Sequence, residues 1–160
     1  GNTKYAENRG DFSPYLHFHY QEEFCMHEMR QNFLKCGMTG WCMEVIFTGL
    51  HSIAKHDPKM MGQTSILMFP IYGAAALLGP ISRLLKKHSI LFRGLIYTCC
   101  IFTTEYVSGS ILKKNKMCPW DYSGAKWNIN GLIRLDYAPL WFTAGLIFEQ
   151  LVKPAPADMP

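Results

Sequence analysis

The sequence predicts an all-α fold: a four-helix transmembrane bundle with a polar N-terminal tail and an aromatic loop between the third and fourth helices. Four apolar runs, over residues 32–53, 64–85, 91–112 and about 136–152, are each near the length that crosses a hydrocarbon layer, which takes ~20 helical residues for ~30 Å. Charged residues are only 18% of the 160, below the roughly 25% of an ordinary soluble domain, while hydrophobic residues reach 49%. The mean hydropathy of −0.01 averages that apolar middle with two polar ends. Together these exclude a disordered chain and a highly charged nucleic-acid binder, and the length is one domain's worth. A soluble helical bundle is the rival, but runs this long with small residues scattered through them fit lipid better than water.

Taken in order, residues 1–30 form the polar tail. It carries His17, His19, Glu22, Glu23, Cys25, His27 and Glu28, all ligand types but without a tetrahedral metal-site spacing. A short amphipathic helix is expected from about Glu22, on an otherwise mobile tail. The membrane domain is expected over residues 31–152, with a C-terminal tail over 153–160. The first apolar run starts too late and is too long for a secretory signal and would itself direct insertion. The chain starts at Gly1, not Met, as a trimmed or partial chain would. In the second run Pro70 removes the helical partner of the Ile66 carbonyl, so a kink and a free acceptor are expected there. The fourth run is short. It reaches full length only if it begins near Gly131, which would draw Arg134 and Asp136 inward.

Six cysteines show no CxxC pair, and four lie inside apolar runs, so buried reduced thiols are expected. No Asn-x-Ser/Thr acceptor is present to fix topology by glycosylation. With four spans both termini share a side with the second loop, and that side carries seven Lys and Arg against six. The richer side belongs in the cytoplasm, so the termini lean cytoplasmic in an integral, multi-pass protein.

The sharpest information is two acids inside the runs. A carboxylate at bilayer depth costs several kcal/mol unless it is paired, protonated or wetted. Glu44 lies nine residues before Ile53, ~14 Å, and Glu105 seven before Leu112, ~11 Å; Tyr72, on the opposite-running second helix, lies ~12 Å from the same face. Two carboxyls and a phenol are therefore expected to meet in one plane. Gly37, Gly40, Glu44, Thr48 and His51 make one small-and-polar stripe; Thr98, Glu105, Ser108 and Gly109 make another. Tyr72, Gly73, Ala76 and Gly79 in the second helix, and Ala138, Trp141, Gly145 and Glu149 in the fourth, should pack against them. Glu149, one turn from its helix end, is expected to be structural or interfacial.

The third loop contains Cys118, Pro119, Trp120, Asp121, Tyr122 and Ser123. Trp and Tyr favour the interface, and Asp121 followed by Ser123 favours a turn. Lying on the face toward which the acids are displaced, this loop either lids a polar cavity or serves as an aromatic-anchored connector.

These residues carry a resemblance. Gly40-Trp41-x-x-Glu44, Pro70-Ile-Tyr72-Gly73, Glu105-Tyr106, Cys118-Pro-Trp120-Asp121-Tyr122-Ser123 and Gly131-Leu-Ile-x-Leu135 resemble the transmembrane protein 229 family of animals and, more distantly, bacterial membrane proteins labelled putative ABC transporter type IV. The likeness covers about residues 31–152 and implies a four-span membrane protein without a settled activity. No GxxxxGK[ST] phosphate loop is present, so transport would need an energising ATPase on another chain.

Three function classes follow. The first is a carrier, channel or carrier subunit in which Glu44, Glu105, Tyr72, Trp120, Asp121 and Tyr122 handle a small cationic or polar ligand. The second is an interaction or assembly protein whose polar layer only fixes helix register. The third is a lipid-modifying enzyme, disfavoured because Ser108 and Ser110 lack a placed His partner and no other nucleophile constellation is evident. No cofactor and no metal is expected; the expected partners are the lipid bilayer and other membrane subunits, with no nucleic acid.

Overall fold

The computed structural model describes residues 14–54 and 56–152, with side chains from residue 22 onward. It is mostly helical: α1 (Pro14–Ala54), α2 (Met68–Gly73), a 3₁₀ turn (Ala74–Leu77), α3 (Leu78–Leu85), α4 (Ile90–Lys114), a two-stranded hairpin of β1 (Asn128–Ile129) and β2 (Ile133–Arg134), a second 3₁₀ turn (Leu135–Tyr137) and α5 (Ala138–Leu151). Residues 1–13 of the expected tail, and the expected C-terminal tail at 153–160, lie outside the described residues.

The helix expected from about Glu22 begins earlier, at Pro14, and runs unbroken into the first apolar run. Proline is tolerated there because the first turn of a helix has no use for its missing N–H. The helix ends where His56 takes a left-handed φ of 59° and Ser52 Oγ donates to Asp57 Oδ2 at 3.0 Å.

Pro70 acts differently from its expectation. It is the third residue of α2, inside the first turn, so it removes no needed donor. The Ile66 carbonyl is not free either, since the Phe69 N–H donates to it at 3.2 Å. The irregularity comes one turn later, where Ala74–Leu77 tightens to 3₁₀ between α2 and α3.

α4 is an unbroken helix of 25 residues. Ser89, with extended backbone, caps it by accepting the Phe92 N–H at 3.3 Å, and Lys113 and Lys114 oppose the partial negative charge of its last turn. The fourth run, expected over about 136–152, forms a helix within two residues of those bounds, without the extension that full length would need. Gly131 does not open a helix; it sits in the hairpin turn, and α5 begins only at Ala138. Fourteen residues of α5 span ~21 Å.

Two antiparallel pairs build the molecule. α1 packs on α2 and the turn after it: Gly37 faces Phe69, Gly40 the Tyr72 ring and Phe33 Gly73. Edge-on contacts of Phe69 with Phe33 (6.0 Å) and Trp41 (5.9 Å) add to this seam, each worth about 1 kcal/mol beyond its burial. α4 packs on α5, with Gly94 against the Phe142 ring and Tyr97 against Gly145. At Gly40 and Gly94 any Cβ would overlap the facing ring, so only glycine permits these approaches. The pairs join over a core of Cys36, Leu78, Tyr97, Ala144, Phe148 and Val152.

Cysteine burial is narrower than expected. All six are free, but only Cys36 is buried, while Cys42 and Cys99 turn outward from their helices. Among the described residues two helical segments, Met68–Leu85 and Ile90–Lys114, are long and apolar enough to cross a membrane.

Candidate functional site

After α1 the chain doubles back, and residues 62–65 lie along it as a strap. Three α1 side chains one helical face apart hold the strap. Thr48 Oγ1 donates to the Gln63 carbonyl (3.0 Å) and accepts its N–H (2.8 Å). Thr64 Oγ1 donates to Glu44 Oε2 at 2.7 Å, and Trp41 Nε1 donates to the Ser65 carbonyl at 3.0 Å. Residues 41, 44 and 48 share a face because they are spaced by three and four. Glu44 is thus half satisfied, and half-buried.

Beside Glu44 opens a cavity of about 370 Å³. Its walls come from α1, the strap, α2, α4, the loop before the hairpin and α5, and they include Glu44, Tyr72, Glu105, Trp120 and Tyr122. Five of the six residues singled out in the sequence therefore come together around one space. Both carboxyl side chains line this one space. Glu105 is 93% buried and its Oε2 has no hydrogen-bond partner. Trp141 Nε1, which lines the same cavity, is likewise buried without a hydrogen-bond partner. Among the described residues no Lys or Arg lines the cavity, and His51, at its exposed edge, is the one basic side chain that does.

The sixth residue, Asp121, does not line it. Its Oδ1 accepts the Ser123 hydroxyl (2.6 Å) and N–H (2.9 Å), closing the expected turn. These hydrogen bonds, the hydroxyl's first, hold its carboxyl below the ordinary range although it is fully exposed. Tyr122 next to it turns inward. Burial, then the charge of Glu105, pushes its phenol up.

The loop is built to hold this orientation. Trp120 Nε1 donates to the Leu132 carbonyl at 2.9 Å, and the Tyr122 N–H donates to the Gly131 carbonyl at 2.9 Å. Asn130 and Gly131 both have positive φ, 54° and 71°, and the Leu132 N–H closes on the Ile129 carbonyl at 3.0 Å. That is the Asn-Gly hairpin turn. Lys113 and Tyr106 then tie Asn130 to α4, at 2.9 and 3.0 Å. Arg134 stays outside, paired with exposed Asp136 at 2.6 Å and seated over the Tyr137 ring at 4.4 Å. Tyr137 meets Phe47 and Tyr122 edge-on, at 5.6 and 5.8 Å, and completes an aromatic wall at the cavity's side.

Thr64, Tyr137 and Trp141 line the cavity without having been singled out as site residues. Trp141 carried a usable signal, an indole N–H on the same helix face as Gly145. Thr64 carried none, because only the folded strap brings it to Glu44. Among the described residues no group of three or more His, Cys, Asp or Glu is placed to hold a metal.

No solved structure matches the chain. A family model does, over residues 31–159, which takes in both carboxyls, the strap, the hairpin and every wall of the cavity. The chain therefore belongs to the family described as putative ABC-transporter type IV.

Proposed function

We propose that the chain is a four-span integral membrane protein that holds a small cationic or polar ligand between Glu44 and Glu105, as a carrier or transporter-like subunit. The observation that carries this reading is the convergence of the two acids, Tyr72, Trp120 and Tyr122 on one cavity in which a buried carboxylate oxygen lacks a partner. A strut that merely fixed helix register would be matched by a counter-charge from the protein, as Arg93 matches Glu149 at 3.3 Å. Here the ligand supplies the donors: its positive charge or N–H groups would face the carboxyls, with Tyr72 adding a hydrogen bond and the Trp120–Tyr122 loop forming one wall.

Support for the membrane comes from the family and from exposure. Only 28% and 22% of the most apolar windows of Met68–Leu85 and Ile90–Lys114 are buried, whereas the core helix of a soluble protein is mostly buried. Leu34, Met38, Ile46 and Leu50 of α1, and Leu95, Val107 and Ile111 of α4, present apolar surface outward. The C-terminal half of α1 and α5 would be the first and fourth spans, with the termini on the cytoplasmic side by the charge count. α5 is short for a span, and the hairpin and second 3₁₀ turn would complete its depth beneath the other helices.

Methylamine is the probe, titrated against the protein in phosphatidylcholine nanodiscs. Wild type should bind saturably, and Glu44→Gln and Glu105→Gln should stay folded yet bind about tenfold more weakly or worse, the worth of a hydrogen bond to a charged group. Unchanged binding in both variants would overturn the reading.

A further inference from the structure

A second space adjoins the first. It is an apolar groove of about 390 Å³ between the α2–α3 segment and α4, floored by Ile71, Ala75, Leu78 and Ile81 on one side and by Ile96 and Cys100 on the other. The two spaces share Met68, Tyr72, Glu105, Trp141 and Phe148 as walls, so the unpartnered carboxyl stands at their junction. Leu77 and Cys99, both exposed, also line the groove and mark where it reaches the outer surface of the bundle.

The geometry points to an amphiphile as the ligand: a single long alkyl chain in the groove, with a cationic amine head held at Glu105 and Glu44. This rests on the reading of the polar cavity as a ligand site and specifies what enters it.

Charge complementarity selects the head. Among the described residues the two spaces offer two acids, Glu105 at their junction and Glu44 in the first, and no Lys or Arg, with His51 at the cavity's exposed edge as the only basic lining group, so a phosphate or carboxylate head would meet like charge. The groove selects the tail. Its walls are almost entirely apolar, and Met68 to Ile81 lie along ~20 Å of helical rise. A tail lying there keeps apolar neighbours as its head leaves the bilayer surface for the cavity. It gains little from the exchange, because lipid is as apolar as the groove. Discrimination between ligands therefore falls to the head, and access for a lipid-borne molecule falls to the groove.

The test uses the full chain in phosphatidylcholine nanodiscs with three probes: hexadecylamine, hexadecanol and methylamine. Hexadecylamine should bind about tenfold or more tightly than hexadecanol at equal mole fraction in the bilayer, since only the amine meets the carboxyls with charge. Cys99→Trp should fill the groove at its open edge. Cys99 is exposed, so the larger side chain should leave thermal unfolding near wild type. That variant should weaken hexadecylamine about tenfold and leave methylamine unaffected. Equal binding of amine and alcohol, or Cys99→Trp without effect on hexadecylamine, would overturn the amphiphile while methylamine binding that still depends on Glu105 keeps the polar site intact. Loss of dependence on Glu44 and Glu105 for both amines would instead overturn the polar site and this inference with it.

Discussion

α4 meets α5 at two acidic positions, and the fold treats them oppositely. Near the start of α4, Arg93 Nη2 lies 3.3 Å from Glu149 Oε2, both side chains largely covered, with the wholly buried Tyr97 beside them. Twelve residues along the same helix, about 18 Å away, Glu105 is buried with an unpartnered oxygen and, among the described residues, no Lys or Arg lining the spaces beside it. The first arrangement is how helices lock when an acid serves packing: a counter-charge comes from the partner helix. The second leaves the compensating group to arrive from outside. One interface therefore supplies its own control: both Oε2 atoms are buried without a hydrogen bond, and what sets Glu105 apart is the missing counter-charge, not the burial of an acid.

The widest effect should appear at the paired end. Arg93→Leu leaves Glu149 without its cation and should cost about 3 kcal/mol, read as a fall in thermal unfolding; Arg93→Leu combined with Glu149→Leu should recover much of it. An unchanged stability in Arg93→Leu would show that the pair is not structural and would blur the contrast. Next, Gly94→Ala puts a Cβ into the Phe142 ring and should cost about 2 kcal/mol by overpacking. Gly40→Ala should do the same against Tyr72 and should also displace a cavity wall, so it should lower methylamine binding, which Gly94→Ala should not.

At the open end the stability effect should nearly vanish. Glu105→Gln leaves no cation unpaired among the described residues, so unfolding should shift by less than about 1 kcal/mol while methylamine binding weakens about tenfold or more. A large destabilisation there would make Glu105 a strut. The smallest effect concerns pH and Asp121. Its folded pKa is depressed, so the turn is fully supported above the ordinary carboxyl value near ~3.9 and loses that support as pH falls through the depressed one. Hydrogen exchange at the Ser123 amide should speed up in that acid window and nowhere near neutrality; exchange that already rises near neutral pH would contradict it.

Much of the site was legible because depth and face follow from helical geometry. Counting 1.5 Å per residue from the run ends put Glu44, Glu105 and Tyr72 level, and steps of three and four put glycines on the packing faces. The breaks in regularity were harder to read. Pro70 promised a kink, but its effect depended on where α2 starts, and no side-chain cap marks that start. Asn130-Gly131 is a strong hairpin signal, yet Gly131 was weighed only as the point where a longer fourth span would begin. Asp121 was grouped with Trp120 and Tyr122 by adjacency, while its short side chain closes its own turn and only the aromatic neighbours reach inward. The strap at residues 62–65 has no local pattern, because tertiary hydrogen bonds to Trp41, Glu44 and Thr48 define it.

The contrast between the two ends is most directly tested with a hydrophobic carbodiimide, which modifies carboxyl groups reachable from an apolar space, applied to the protein in nanodiscs and followed by peptide mass mapping. Modification at Glu105, suppressed by hexadecylamine and absent at Glu149, is the predicted result. Modification at Glu149 with Glu105 untouched, or labelling of Glu105 that no amine suppresses, would contradict the account.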